Sequence, residues 1–313
     1  MKSIAALLGC GVALAVGVAF AFSNPVAWGE AALLMWDVAA GGEHTYWQEV
    51  TPPPTMYPTR WQDEHGTGEG DLYTPGDKVR AAVVLVPGAA ALGRAEPRLQ
   101  ALARSLARAG FVVLVPDLAE VRQFRLSRAD ADSVASALRE LRRWQPDRPL
   151  GAIAVSYAVA PTIIAALQDD LAATVDFIVG IGGYRDTETV IRFMTTGVFR
   201  PVGSAREMRL SPNFYGRWTF LLANANRIDD EADARRLLQI AGAHLGRPDA
   251  DTSALAVGLG PQGRAILALV ENRDPDAVGR LIADLPAAIR HEIDGLDLAL
   301  YDLSKLRCHL ILV

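Results

Sequence analysis

The middle of the chain alternates between short unbroken apolar runs and longer segments in which apolar residues recur every three or four positions. "AAVVLVPG" (81–88), "FVVLVPD" (111–117), "LGAIAV" (150–155) and "FIVGIGG" (177–183) are continuous rather than alternating, which predicts strands buried on both faces. Between the first two, Leu99, Leu102 and Leu106 share one helical face that Gly110 terminates. Between the next two, Val134, Leu138 and Leu141 share another, and Ser127 with Asp130 reads as its capping box. A third helix is expected over 158–167. Apolar strands separated by amphipathic helices predict an α/β domain with a mostly parallel sheet.

The flanks read differently. Residues 45–81 are rich in Pro and Gly, with strand-like runs at Tyr46–Val50 and Asp71–Thr74, and predict edge strands and turns. From Thr187 to about Leu300 the pattern is helical only, before "CHLILV" (308–313) restores a strand. A helical block between two strands of one sheet is a cap. The expected division is therefore a membrane anchor or signal segment (1–24), an amphipathic connector (25–44), an α/β core (45–186), a helical cap (187–300) and a returning core strand (301–313).

Ahead of the core, Ile4 to Phe22 are 19 consecutive uncharged, mostly apolar residues behind a single Lys2. That length suffices to cross a hydrocarbon layer of about 30 Å as a helix, and exceeds a usual signal-peptide core. An uncleaved N-terminal membrane helix is expected, with cleavage after Ala19-Phe20-Ala21 and secretion as the alternative. Lys2 against the later Glu30, Asp37, Glu43 and Glu49 orients the domain outside the cytoplasm. In the connector, Glu30 and Asp37 stand seven residues apart, on one helical face opposite Leu33, Leu34 and Trp36. That segment is expected on a membrane surface or docked on the domain.

Composition narrows the chemistry. With 31 basic and 36 acidic residues and no basic block, the chain lacks the electrostatic footprint of a nucleic-acid binder. Cys10 and Cys308 lie at opposite ends without neighbouring ligands, so neither a disulfide nor a metal site is expected. No cofactor is indicated. Gly258-Leu259-Gly260-Pro261-Gln262-Gly263 has the G-x-G-x-x-G spacing of dinucleotide sites but lies outside any βαβ unit.

The candidate nucleophile is Ser156, in "AIAVSYAVAP" (152–161), where the third apolar strand runs into a helix. A nucleophile elbow needs small residues two before and two after the serine, and Ala154 and Ala158 hold those places. The other reading of Ser156 is a helix N-cap. Acyl transfer also needs two N–H donors for the oxyanion, which Tyr157 and Ala89, in "VPGAAALGR", are placed to supply.

With these segments in view, 80–186 and the last strand resemble the α/β-hydrolase superfamily, in its dienelactone-hydrolase-like and esterase-like branch, and in particular a group of bacterial membrane-anchored hydrolases. The resemblance implies an eight-stranded sheet, a cap after the sixth strand, and a Ser, acid, His triad in that order acting on a carboxylic ester or related small acyl substrate. Pro87 and the two alanines of the elbow depart from the family pattern.

In that family the acid and histidine follow the strand that here is "CHLILV". None of His44, His65, His244, His291 and His309 occupies the position of the base, so the triad partners are expected beyond Val313 and this chain is expected to be inactive. Asp186 is an alternative acid, its competing role being a helix cap. Phe193, Met194, Phe199, Phe214, Tyr215, Trp218 and Phe220 in the cap suggest an apolar acyl pocket or the cap's own core. The competing reading of the whole is a non-catalytic membrane protein of the same fold, serving binding or scaffolding.

Overall fold

The computed structural model describes residues 25–63, 66–125 and 127–313. The expected membrane segment, with Lys2 and Cys10, lies outside the described residues, as does His65. Among the described residues no helix is long and apolar enough to cross a membrane.

A seven-stranded sheet organises the core. Its strands are β1 (Thr55–Asp63), β2 (Gly66–Thr74), β3 (Ala81–Val86), β4 (Phe111–Pro116), β5 (Leu150–Val155), β6 (Phe177–Ile181) and β9 (His309–Leu312), in the order β1-β2-β4-β3-β5-β6-β9. From β4 to β9 all neighbours are parallel, and β1 and β2 form an antiparallel flank. Pro58 is tolerated because β1 is an edge strand, whose outer side needs no ladder donors.

The continuous apolar runs are explained by two cores, one on each face of the sheet. Val84, Val86, Val112 and Leu114 pack with Val134, Leu138 and Leu141 of α5 (Ala129–Trp144) and with Ile163 of α6 (Val159–Ala166). Leu85, Val113 and Val115 point the other way, onto Leu99 and Leu106 of α3 (Pro97–Arg108). Every residue of β3, and every residue of β4 but Phe111, is thus buried whichever way it points, so period-two alternation is absent there, whereas β6 is partly and β9 wholly exposed. Two short helices complete this part, α4 (Ala119–Arg122) after β4 and α7 (Asp169–Ala172) before β6.

Between β6 and β9 the chain forms α8 (Thr187–Thr196), a small hairpin of β7 (Val198–Phe199) and β8 (Met208–Arg209), then α9 (Phe214–Asn224), α10 (Glu231–Gly246), α11 (Ser253–Val257), α12 (Pro261–Glu271), α13 (Val278–Ala283) and α14 (Ala287–Gly295). The hairpin corrects the helix-only expectation. These helices have their own core around Trp218, Leu237 and Ile240. Trp218 stacks on the buried His244 ring at 4.1 Å, so it belongs to that core rather than to an open acyl pocket.

Ahead of the sheet, α1 (Pro25–Ala39) docks against α3, and α2 (Tyr46–Val50) packs on α1 and accepts from Arg108 of α3 through the Gln48 carbonyl at 3.3 Å. Tyr46–Val50 was expected as a strand; five residues rich in Tyr, Trp and Val have strand propensity, but tertiary context makes them a helical turn with Trp47 buried. The acids of α1 face inward. Asp37 accepts from Ser105 at 2.5 Å, from Gln48 at 2.9 Å and from Thr45, and Glu30 meets Arg80 through two bonds of 2.6 and 2.8 Å. Burial works against the Asp37 charge, but the three donors outweigh it and hold the carboxyl below its ordinary range. Leu34 was expected opposite the acids; lying four residues after Glu30 and three before Asp37, it shares their docking face and packs on the α3 side of the sheet.

Candidate active site

Ser156 leaves β5 with φ +55°, in the left-handed region. A β-carbon is strained there, and among the described non-glycine residues only Phe124 shares the feature. The strain turns the chain sharply, so that Ser156 is exposed while Tyr157 and Ala158 are buried beneath it in a tight turn that opens α6. A helix N-cap has extended backbone and its side chain accepts from the first turn; Ser156 has neither, so the N-cap reading is corrected. Ala154 and Ala158, two residues to either side, are both fully buried.

The loop after β3 closes against this turn. A Cβ built on Gly88 would lie 2.9 Å from the Val155 carbonyl oxygen and 3.6 Å from Ser156 Cβ, so only glycine admits so close an approach. Ala89 follows directly, and among the described residues its N–H has no acceptor. A strained serine after the third parallel strand, a glycine loop from the neighbouring strand against it, and a strand order that crosses over at β4-β3-β5 now stand together. This arrangement, a mostly parallel α/β sheet with a strained serine turn at its centre, resembles the α/β-hydrolase fold.

Comparison with solved structures returns proteins described as hydrolases and peptidases, at low identity. They include the dienelactone hydrolase of Anabaena variabilis (22% identity, covering 42% of this chain and 65% of that one, TM-score 0.36) and the acylaminoacyl peptidase of Pyrococcus horikoshii (16%, 46% and 25%, TM-score 0.36). A putative hydrolase of Legionella pneumophila is matched over 89% of this chain and 88% of its own, at 11% identity and TM-score 0.48. The matched part thus spans under two thirds of the dienelactone hydrolase and a quarter of the peptidase. No family model and no curated protein matches the chain.

Beneath the turn at Ser156, the buried underside is polar. The Tyr157 hydroxyl accepts from the Ser127 N–H at 3.0 Å and lies 2.8 Å from Asp130 Oδ2 and 3.2 Å from the Ser127 carbonyl. This corrects the expected Ser127–Asp130 capping box, because Tyr157 and not Asp130 satisfies the Ser127 N–H. Burial pushes the Asp130 carboxyl up to about 7, helped by Glu120 and Glu292 and opposed by the Tyr157 bond and Arg227. A protonated Asp130 satisfies every atom here: it donates to Tyr157, which also accepts from Ser127 N–H and donates to the Ser127 carbonyl. Burial likewise raises the Tyr157 hydroxyl, which stays neutral.

Sequence reasoning did not find Phe124. Its φ is +56°, its carbonyl accepts from Asn224 Nδ2 at 3.2 Å, and its ring meets Phe220 edge-on at 6.4 Å. Arg125 Nε donates to the Ala223 carbonyl at 3.3 Å. These contacts clasp the turn after β4 to α9, and only an aromatic residue followed by Arg hinted at them.

The remaining candidates fall elsewhere. Asp186 caps α8, accepting from the Thr189 N–H at 2.7 Å, which is its competing role. His44 lies 3.8 Å from Glu49, His244 is bonded to Pro248 and Thr252, and His291 lies 2.9 Å from Arg128. His309 is exposed on β9, and no hydrogen bond of a described histidine reaches Ser156. Two open clefts, of about 430 Å³ beside Arg139 and Arg142 and about 410 Å³ between Phe124 and Leu222, do not include Ser156.

The G-x-G-x-x-G stretch has an internal anion. The buried Asp233 carboxylate accepts from Gly260 N–H at 2.6 Å and Gly263 N–H at 2.8 Å, occupying the place a phosphate would take at the start of α12. A Cβ on Gly263 would fall 2.8 Å from Asp233 Oδ2, so the glycine serves the carboxylate.

Proposed function

We propose that this chain carries the nucleophile of a membrane-anchored serine hydrolase acting on a carboxylic ester or related small acyl substrate. The observation that carries the reading is the left-handed Ser156, exposed at the end of β5 with Gly88 packed against its turn. Ser156 Oγ attacks the acyl carbon, and the N–H groups of Tyr157 and Ala89 hold the charge that develops on the carbonyl oxygen. The general base and its acid are not assigned among the described residues. Residues 4–22 supply the anchor, with the domain outside the cytoplasm.

A fluorophosphonate probe, with imidazole in the buffer as external base, tests the assignment. Ser156 is expected to take the label and Ser156→Ala to lose it. Label on another residue, or undiminished labelling of Ser156→Ala, removes Ser156 from the mechanism. That no described histidine is bonded to Ser156 favours a second reading, a non-catalytic protein that binds acyl ligands at the same turn, for which no covalent adduct forms under any base.

A further inference from the structure

The helix α1 is built inside out relative to an ordinary surface helix. Glu30, Leu34 and Asp37 recur at four- and three-residue spacing and face the domain, where Asp37 is 3% exposed. The opposite face turns large apolar side chains to solvent: Trp28 is 70% exposed, Met35 65% and Trp36 59%, with exposed Ala32 and Ala39 between and beyond them. Trp28, Ala32, Met35 and Ala39 are separated by four, three and four residues, one stripe along one side. Exposed Tyr46 and Val50 on α2 add to the apolar surface of this N-terminal unit. A soluble domain rarely leaves two tryptophans and a methionine on one open face, and such a face marks an interaction surface.

The sequence next to it says what covers the face. The apolar run ends at Phe22, and only Ser23 and Asn24 separate it from Pro25, where α1 begins. Three residue steps span at most about 11 Å, so a lipid layer entered by residues 4–22 must lie within that reach of the first turn of α1. At 15 residues, with Glu30 and Asp37 along its length, α1 is too short and too acidic to cross that layer itself. Tryptophan is the residue that best suits the boundary between headgroups and acyl chains.

We propose that α1 lies along a lipid surface, with Trp28, Met35 and Trp36 in the headgroup–acyl boundary and its acidic face bolted to the domain through Ser105 and Arg80. The helix is then a rigid interfacial plate between anchor and enzyme rather than a flexible linker. This rests on the membrane reading of residues 4–22 and is independent of the chemistry at Ser156.

The test uses the full chain reconstituted in phosphatidylcholine–phosphatidylglycerol vesicles, with and without brominated acyl chains. Residues 1–24 contain no tryptophan, Trp47, Trp61 and Trp218 are buried, and the half-buried Trp144 is retained in the double variant, so the quenching lost in Trp28→Phe/Trp36→Phe reports on those two residues. The expected result is flotation with the vesicles, emission quenched by brominated lipid and shielded from aqueous iodide, and loss of that quenching in Trp28→Phe/Trp36→Phe. Flotation with the two tryptophans still open to iodide and untouched by bromine overturns the proposal while the anchor stands. Shielding from iodide without bromine quenching also overturns it, since protein rather than lipid then covers the face. Failure to float overturns anchor and plate together.

Discussion

The Tyr157 hydroxyl sits 2.8 Å from a buried Asp130 carboxyl, directly beneath the residue that follows the candidate nucleophile. Since Asp130 titrates near 7 in the folded chain and in the ordinary carboxylate range when unfolded, the folded state holds the extra proton between those values. Stability credited to this proton is therefore full at acid pH and falls as pH rises toward 7, by roughly 1.4 kcal/mol per pH unit, then levels off. Asp130→Asn keeps a donor for Tyr157 and titrates in neither state. Denaturant melts across this range are expected to show wild type losing ground to Asp130→Asn as pH rises; a constant gap between them excludes a protonated Asp130.

Gly88→Ala tests the contact between the two halves of the proposed oxyanion site. The new methyl meets the Val155 carbonyl at 2.9 Å, and since that atom belongs to the backbone of the elbow the loop carrying Ala89 must shift. Displacing one oxyanion donor costs roughly 10²-fold in acylation rate. Fluorophosphonate labelling of Ser156 is expected to slow by that order.

Ser156→Gly separates strain from chemistry. Glycine adopts φ +55° without a clashing Cβ, so this variant is expected to be more stable than wild type by about 1 kcal/mol, whereas Ser156→Ala retains the strain. Both lose labelling. Equal melting of all three proteins would show that the elbow stores no strain.

No described histidine is bonded to Ser156, so among the described contacts none takes the hydroxyl proton. Without imidazole, ester hydrolysis by this chain is expected to match that of Ser156→Ala. A steady-state assay that finds a large serine-dependent rate identifies a base that these contacts do not.

Asp233→Ala strips a buried acceptor from two amides of the α12 start. The cost is about 2 kcal/mol or more, because Gly260 and Gly263 N–H are left inside the cap without partners. Hydrogen exchange should quicken first in 259–271. Asp233→Asn, which keeps one acceptor, should fall between.

The parallel strands were legible because every residue of β3 is buried, so the apolar run needs no interpretation beyond its length. The sharp strand-to-helix turn at Ser156 was legible for a related reason, its place at the end of such a strand between two small residues. Less could be read where the answer depended on distant partners. Ser127 and Asp130 carry the spacing of a capping box, and only the arrival of Tyr157 from 27 residues beyond Asp130 gives them another task. The glycines at 258–263 suggested a phosphate site until Asp233 was seen to fill it. Periodicity on α1 distinguishes its faces but not which one turns inward; the hydroxyl of Ser105, 68 residues beyond Asp37, decides that.

The pairing of Glu30 with Arg80 also sets a distance. Arg80 immediately precedes β3, while Val86, at the far end of that strand, registers with Ala154 beside the elbow. Six residues of extended chain, roughly 20 Å, therefore stand between the point where α1 is fastened and the serine. With α1 on a lipid surface as proposed, a central strand of the sheet would act as a strut, holding the turn at Ser156 away from the mooring, so that a water-borne acyl compound would reach Ser156 without first entering lipid.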